Sequence, residues 1–319
     1  MRQIFADMHC DTITTLYDKR KEGSNETLLC NSLQLDIQKM ETSHYLLQNF
    51  AVFLDQGRWD HLYEEAMHRI AFFQEELEKN KDRIRQVTTY NEILQNEKEG
   101  VISALLTLEG GESLDGNVDN LSAFHKKGVR MITLTWNYDN ELGHSHFDTK
   151  GKGLTKLGME IVEQMEVLHM IPDVSHGSDA LFYDVCKIAK KPFVASHSNA
   201  RSIYDRSRNM TDDMIRMLAD RGGVIGMNFF AGFTSSRSRE DGMCYLEDIL
   251  QHMKHVYNVG GIDCLALGSD FDGIDTDVEW QDASGMELFL NGLERAGFTA
   301  SECDKITKNN VLRLYKECL

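Results

Sequence analysis

The chain has 319 residues, 41% of them hydrophobic, and a formal net charge of −17. That length and composition suit a soluble globular protein built as one large α/β barrel, and are wrong for a disordered or membrane-embedded chain. The acidic balance excludes nucleic acid and anionic membrane as partners, since both need basic surface, and leaves small molecules open, cationic and zwitterionic ones included.

Short apolar, strand-like runs alternate along the chain with longer amphipathic, charged stretches. The runs cover residues 4–9, 49–54, 101–109, 129–136, 170–176, 193–197, 224–229 and 264–270. Between them, 58–81 carries Leu62, Ala66, Ile70 and Phe73 at helical spacing, and 154–169 carries Leu157, Ile161, Met165 and Leu168. Residues 179–190, 212–220 and 245–256 read as helices in the same way. Segment 22–42 reads as an addition, and the tail as two helices, 286–296 and 301–317, the second N-capped by Ser301. Strands alternating with helices imply parallel βαβ units, and eight of them in this length imply a (β/α)8 barrel, a single domain over residues 1–319. An open doubly wound sheet is the alternative. The Gly-rich stretches Glu109-Gly110-Gly111 and Arg221-Gly222-Gly223 are neither dinucleotide nor P-loop motifs.

The seven cysteines are odd in number and lack C-x-x-C spacing, so they read as reduced thiols. The N-terminus has no basic segment followed by an apolar one, no run is long enough to span a bilayer, and the stretch Tyr315 to Leu319 carries no anchor signal. A cytoplasmic location without membrane contact is expected.

Polar residues sit at the ends of the apolar runs. The first ends in His9 and Asp11, the third in Glu109, the fifth in His176, the sixth in His197 and the eighth in Asp270. On a strand, residues two apart point the same way, so His9 and Asp11 are expected to project together. In a barrel all C-terminal strand ends meet at one mouth, where barrel active sites lie. Any one such residue reads more simply as a helix cap; five runs of eight ending in ligand types do not. Three imidazoles and three carboxylates suffice for two divalent ions sharing one carboxylate, and an all-N/O donor set suits a hydrolytic Zn²⁺, Mn²⁺ or Fe²⁺ site more than a structural zinc site. Strand alternation aims Cys10 away from that site. Asp270-Phe271-Asp272-Gly273 falls short of an EF-hand, because the glycine comes too early and Gln281 stands at position twelve. His144 and His146 read as solvated loop residues that could reach over the mouth. Asp7 fits either a partner of the ligands or a strand-end polar residue. Arg208, in the loop after the sixth run, is either solvated or placed to hold a substrate carboxylate.

Taken together these motifs resemble the membrane dipeptidase (renal dipeptidase) family of dinuclear zinc peptidases, within the amidohydrolase-like barrels, and its soluble bacterial-type members most. The matching stretches include DMHCD at 7–11, LEGGE at 108–112, VRMITLTWNYDN at 129–140, DVSHGS at 173–178, PFVASHSNAR at 192–201, RNMTDDMIRML at 208–218 and LGSDFDGI at 267–274. The resemblance implies two metal ions per chain, Zn²⁺ ahead of Mn²⁺ or Fe²⁺. It implies His9 and Asp11 on the first, His176 and His197 on the second, and Glu109 bridging both. Asp270 then handles the proton near the first ion, and Arg208 binds the carboxylate of a small dipeptide. Hydrolysis would run through a metal-bridging hydroxide, and a homodimer is implied. There are two departures. Trp136 stands where the best-known members carry a histidine that meets the substrate and its oxyanion, and an indole donates one hydrogen bond but carries no charge. Asn137, His144 or His146 could compensate, which places Trp136 and Asn137 among the substrate contacts. Phe233 falls roughly where secreted members have a substrate-facing tyrosine. The rival readings are hydrolysis of another small amide or lactone at the same site, and a metal-binding protein without catalysis.

Overall fold

The apolar runs become strands because they bury on both faces, as strands of a parallel sheet covered by helices do. In the computed structural model, which describes residues 4–319, the strands in chain order are β1 (Phe5–Asp7), β2 (Tyr45–Phe53), β3 (Ile84–Val87), β4 (Ile102–Glu109), β5 (Val129–Thr133), β6 (Ile171–Asp173), β7 (Val194–Ala195), β8 (Val224–Met227), β9 (Met243–Cys244), β10 (Leu265–Leu267) and β11 (Asp277–Val278). Of the domain expected over 1–319, residues 1–3 lie outside the described residues. The order β2-β1-β10-β8-β7-β6-β5-β4 closes through a parallel pairing of β2 with β4. The result is the closed eight-stranded barrel that the alternation of runs and helices implies, and each of the eight runs supplies one of its strands.

β3 was not legible as a run. Only Ile84 and Val87 of its four residues are buried, so it lacks an apolar stretch. It pairs with Ile102–Leu105 of β4, and β5 takes over the same edge from Leu106, where the register shifts. β9 and β11 form a separate two-stranded parallel ribbon.

The helices begin where side chains can cap them. Thr155, Ser178 and Thr211 each accept the N–H three residues on, opening Lys156–Val167, Asp179–Ile188 and Asp212–Asp220. The long helix is Leu62–Lys79, shorter at both ends than the pattern 58–81; β3 and the helix Tyr90–Glu99 follow its C-terminal end. In the tail the expected cap at Ser301 is corrected. Thr299 caps Ala300–Asp304 in a capping box with Glu302, leaving Ser301 inside the first turn. A π-type turn, Lys305–Asn309, then joins it to Asn310–Cys318.

That last helix fixes which end of the barrel is open. Ala6, Leu47, Leu105, Met131, Ile171, Val194, Val224 and Ala266, one from each barrel strand, pack into a single buried cluster with Val311, Leu314 and Tyr315 of the helix. The Tyr315 hydroxyl donates to Asn49 Oδ1 at 2.8 Å inside the barrel. The other cluster lies between the strands and the surrounding helices. With one end plugged by apolar side chains, only the C-terminal strand ends are left to gather polar groups.

Candidate metal centre

β1 ends at Asp7, so His9 and Asp11 are not strand residues as alternation suggested. Chain pairing nonetheless continues beyond the strand: Asp270 N–H donates to His9 O (3.1 Å) and Asp11 N–H to Phe271 O (2.9 Å). Asp11 then becomes the N-cap position of helix Thr12–Lys21. This strand-to-helix junction still brings the two side chains together, with His9 Nε2 3.3 Å from Asp11 Oδ2. Asp7 is a partner residue. It is buried, and its Oδ1 accepts the N–H groups of His9 (3.2 Å) and Ser269 (3.0 Å), pinning the end of β1 to the end of β10.

The six expected ligands converge, all of them buried. Glu109 stands at the centre. Its Oε2 lies 3.5 Å from His9 Nε2, while its Oε1 lies 3.0 Å from His176 Nε2 and 3.5 Å from His197 Nε2. Asp270 Oδ1 is 3.7 Å from His9 Nε2. His9, Asp11 and Asp270 form one group able to hold a cation, and His9, Glu109 and His197 a second. His176 and Asp270 both have left-handed backbones, φ 67° and 63°, a conformation that costs energy in non-glycine residues and recurs at functional sites.

Hydrogen bonds set which ring nitrogens are bare. Ser196 Oγ donates to Asp173 Oδ2 (2.5 Å), so it can only accept from His197 Nδ1 (2.8 Å). The Nδ1 of His176 faces Asn137 Oδ1 at 2.9 Å. Both rings then present an unprotonated Nε2 to the site, where the two atoms lie 2.9 Å apart. Two lone pairs at that distance, beside a carboxylate oxygen, repel unless a cation sits among them. The donor set therefore fits divalent metal. Burial first, then Arg208 for His176 and His9 for His197, hold both rings well below the usual histidine range and so in the ligating form. Burial also lowers the His9 ring, but Glu109 and Asp11 outweigh it and raise that ring overall. Burial pushes Asp270 up to about 8, against the pull of His9.

A cavity of about 450 Å³ opens above these groups, lined by Glu109, His176 and Asp270 and walled by Phe53, Trp136, Asn137 and Phe233. The Trp136 ring packs 4.7 Å from that of Phe53. Arg208 is buried; it donates to Ser198 Oγ (3.0 Å) and His197 O (3.1 Å), and its guanidinium lies 5.6 Å from the Phe233 ring. Burial brings it down to about 10, so it stays charged at neutral pH. Asp272 is tied to structure, accepting from Thr12 Oγ1 (2.5 Å) and Gln34 N–H (2.6 Å), which fastens the 22–36 segment beside the mouth.

Of the loop histidines, His144 pairs with Asp139 at the surface (2.8 Å), as a solvated residue would. His146 departs from that reading. It reaches Asn137 and Ser207, and burial with Arg208 and Arg201 pushes it down to about 3. Sequence reasoning also missed Asn228, which donates to Asp270 Oδ2 (2.9 Å), and the Asp173–Ser196 pair behind His197. Asn228 was findable, since it follows β8 by one residue, where other strands carry the expected ligands.

The model of the membrane dipeptidase family, peptidase family M19, matches residues 1–318. An uncharacterized protein in the pqqA 5′ region of Klebsiella pneumoniae is 36% identical over 241 residues, covering 73% of this chain and 89% of that one. An uncharacterized dipeptidase of Schizosaccharomyces pombe is 29% identical over 304 residues, covering 88% of this chain and 71% of its own. A metallo peptidase from Rhodobacter sphaeroides, solved with a phosphinate mimic of the dipeptide L-Ala-D-Ala, has the same fold, with a TM-score of 0.91 over 100% of both chains at 22% identity. On the family match, and with a buried N/O cluster at the barrel mouth that could hold a cation, the chain belongs to the membrane dipeptidase family and is a metallo-dipeptidase.

Proposed function

We propose that the chain is a dinuclear dipeptidase acting on small dipeptides. His9, Asp11 and Asp270 would hold one ion, His176 and His197 the other, and Glu109 both. The observation that carries this reading is the division of Glu109, whose Oε2 faces His9 while its Oε1 faces His176 and His197. When bound, the ions, Zn²⁺ ahead of Mn²⁺ or Fe²⁺, would acidify a water shared between them and polarise the scissile carbonyl.

The chain supplies the rest. Asp270 is held by Asn228 through Oδ2, leaving Oδ1 toward the metal groups. The Asp270 carboxylate takes the proton of the attacking water and returns it to the leaving amine, as base and then as acid. Arg208 binds the substrate's C-terminal carboxylate. The buried Nε–H of Arg208 has no hydrogen-bond partner among the described residues, which supports a role in holding an anionic group of the substrate. Two of its five donors are engaged, which leaves donors for a substrate. Asp275, in the cavity lining, favours the free ammonium end. Trp136 offers a ring face and one N–H, and that lack of charge favours the second reading, cleavage of another small amide or lactone.

We read residues 1–319 as one hydrolase domain. The seven cysteines are all free, which supports a reducing, cytoplasmic setting, and no described helix is long and apolar enough to cross a membrane. A homodimer, implied by the resemblance, is tested by light scattering.

Metal analysis of the purified protein, with a dipeptide panel in added Zn²⁺ or Mn²⁺, tests the function. Two ions per chain and turnover of at least one dipeptide are expected; fewer than one ion, or no turnover, overturns it. Glu109→Gln and Asp270→Asn should each lower kcat by roughly 10²-fold or more, and full activity in both would refute the mechanism.

A further inference from the structure

Behind His176 runs a chain of polar contacts that the reaction as described does not use. Asn137 Oδ1 lies 2.9 Å from His176 Nδ1 and 3.1 Å from His146 Nε2, so one amide oxygen serves two rings. His146 Nδ1 lies 2.8 Å from Ser207 Oγ, next in sequence to Arg208. The protons are consistent along the whole chain: the Ser207 hydroxyl donates to His146 Nδ1, which leaves His146 Nε2–H and His176 Nδ1–H both to donate to Asn137 Oδ1. Turning the Asn137 amide round would force a proton onto His176 Nε2, facing His197 and Glu109, where a ligand needs its lone pair. The backbone reinforces the arrangement. His146 N–H donates to His176 O at 2.7 Å, Ser145 and Gly177 form a bridge, and Ser145 Oγ donates to Asn137 O at 3.1 Å.

We infer that Asn137 and His146 are positioning residues: they hold His176 as its Nδ1–H tautomer with Nε2 aimed at the metal group, and they link that ring to the loop that carries Arg208. This rests on the dinuclear reading above. It also changes the role of Asn137 from a substrate contact to a partner of a ligand, acting on the substrate only through the ring and the loop it braces. The position beside Trp136 thus serves the metal, whatever the indole does for the substrate.

Zinc-loaded wild type and variants, checked for folding by circular dichroism, are mixed with a chromogenic chelator, and zinc release is followed alongside kcat and KM. Asn137→Leu, which removes the acceptor, should release one of the two ions roughly 10–100-fold faster and leave the other unchanged. Asn137→Asp, which keeps an acceptor oxygen, should restore retention to near the wild-type rate. His146→Gln, with Asn137 in place, should quicken release less and raise KM several-fold through the Arg208 loop. Wild-type release from Asn137→Leu with only KM altered would make Asn137 a substrate contact and overturn the inference. So would a His146→Gln variant unchanged in both release and KM, which serves if Asn137→Leu does not fold. Wild type that binds no zinc refutes the dinuclear reading and this inference with it, whereas two-zinc wild type beside indifferent variants refutes this inference alone.

Discussion

At the residue scale, the proposed metal groups crowd one glycine. A Cβ at Gly273 would lie 2.2 Å from Asp11 Oδ2 and 2.6 Å from Asp270 Oδ1, both of them proposed ligands. Gly273→Ala should therefore displace those carboxylates while the barrel folds normally. The expected outcome is loss of one ion and a fall in kcat/KM of roughly 10²-fold, with an unchanged circular dichroism spectrum; wild-type metal content in the variant would count against the assignment of Asp11 and Asp270. Arg208 gives a different signature. Lysine keeps the charge but not the planar fork, so Arg208→Lys should raise KM by about 10-fold or more and change kcat less, as measured by initial rates over a range of dipeptide concentrations. A variant with unaltered KM would remove Arg208 from the carboxylate site.

At the element scale, the closing helix Asn310–Cys318 connects the far end of the chain to the first strands. Tyr315 is buried, and its hydroxyl meets Asn49 Oδ1, while the Asn49 amide donates to Met8 O at 3.0 Å. Tyr315→Phe leaves that buried acceptor without its donor. It should cost about 1–2 kcal/mol, read as a lower urea midpoint at unchanged slope, with dipeptidase activity retained because the helix lies at the closed end. The same scale explains the active mouth. His9, His176 and Asp270 all lie past the ends of short strands, in junctions pinned by Asp7 and Asp173. Asp173 accepts the N–H groups of Ser175 (3.0 Å) and Ser196 (2.9 Å), so one buried carboxylate fixes the approaches to His176 and His197 together.

At the scale of the whole molecule, acid stability has an identifiable contributor away from the metal groups. His252 is buried in helix Leu246–Gly260, where its Nδ1 accepts from Ala200 N–H (3.1 Å) and its Nε2–H donates to Thr234 O (2.7 Å). Burial pushes the ring down to about 4 from an ordinary 6.5. Between those values the unfolded chain binds the extra proton and the folded one does not. The contribution is thus complete above about pH 6.5 and is lost as pH falls toward 4, a loss of about 3 kcal/mol. Urea unfolding of wild type and His252→Asn across that range should show a shallower dependence in the variant; parallel curves would refute the assignment.

Two periodic signals in the residues alone carried the architecture: apolar runs of strand length, and helical spacing between them. Both are local consequences of burial, which is why all eight barrel strands were legible and why β3, with two polar residues in four, was not. The ligand types at run ends were equally legible, because a parallel barrel brings every strand's C-terminal end to one mouth. Local pattern could not say which nitrogen of His176 is bare, that His146 is drawn in from its loop, that Asn228 steadies Asp270, or that a side chain at Gly273 would meet Asp11 and Asp270. Each of those depends on atoms tens of residues apart in the chain meeting within about 3 Å, a relation that exists only once the barrel has closed.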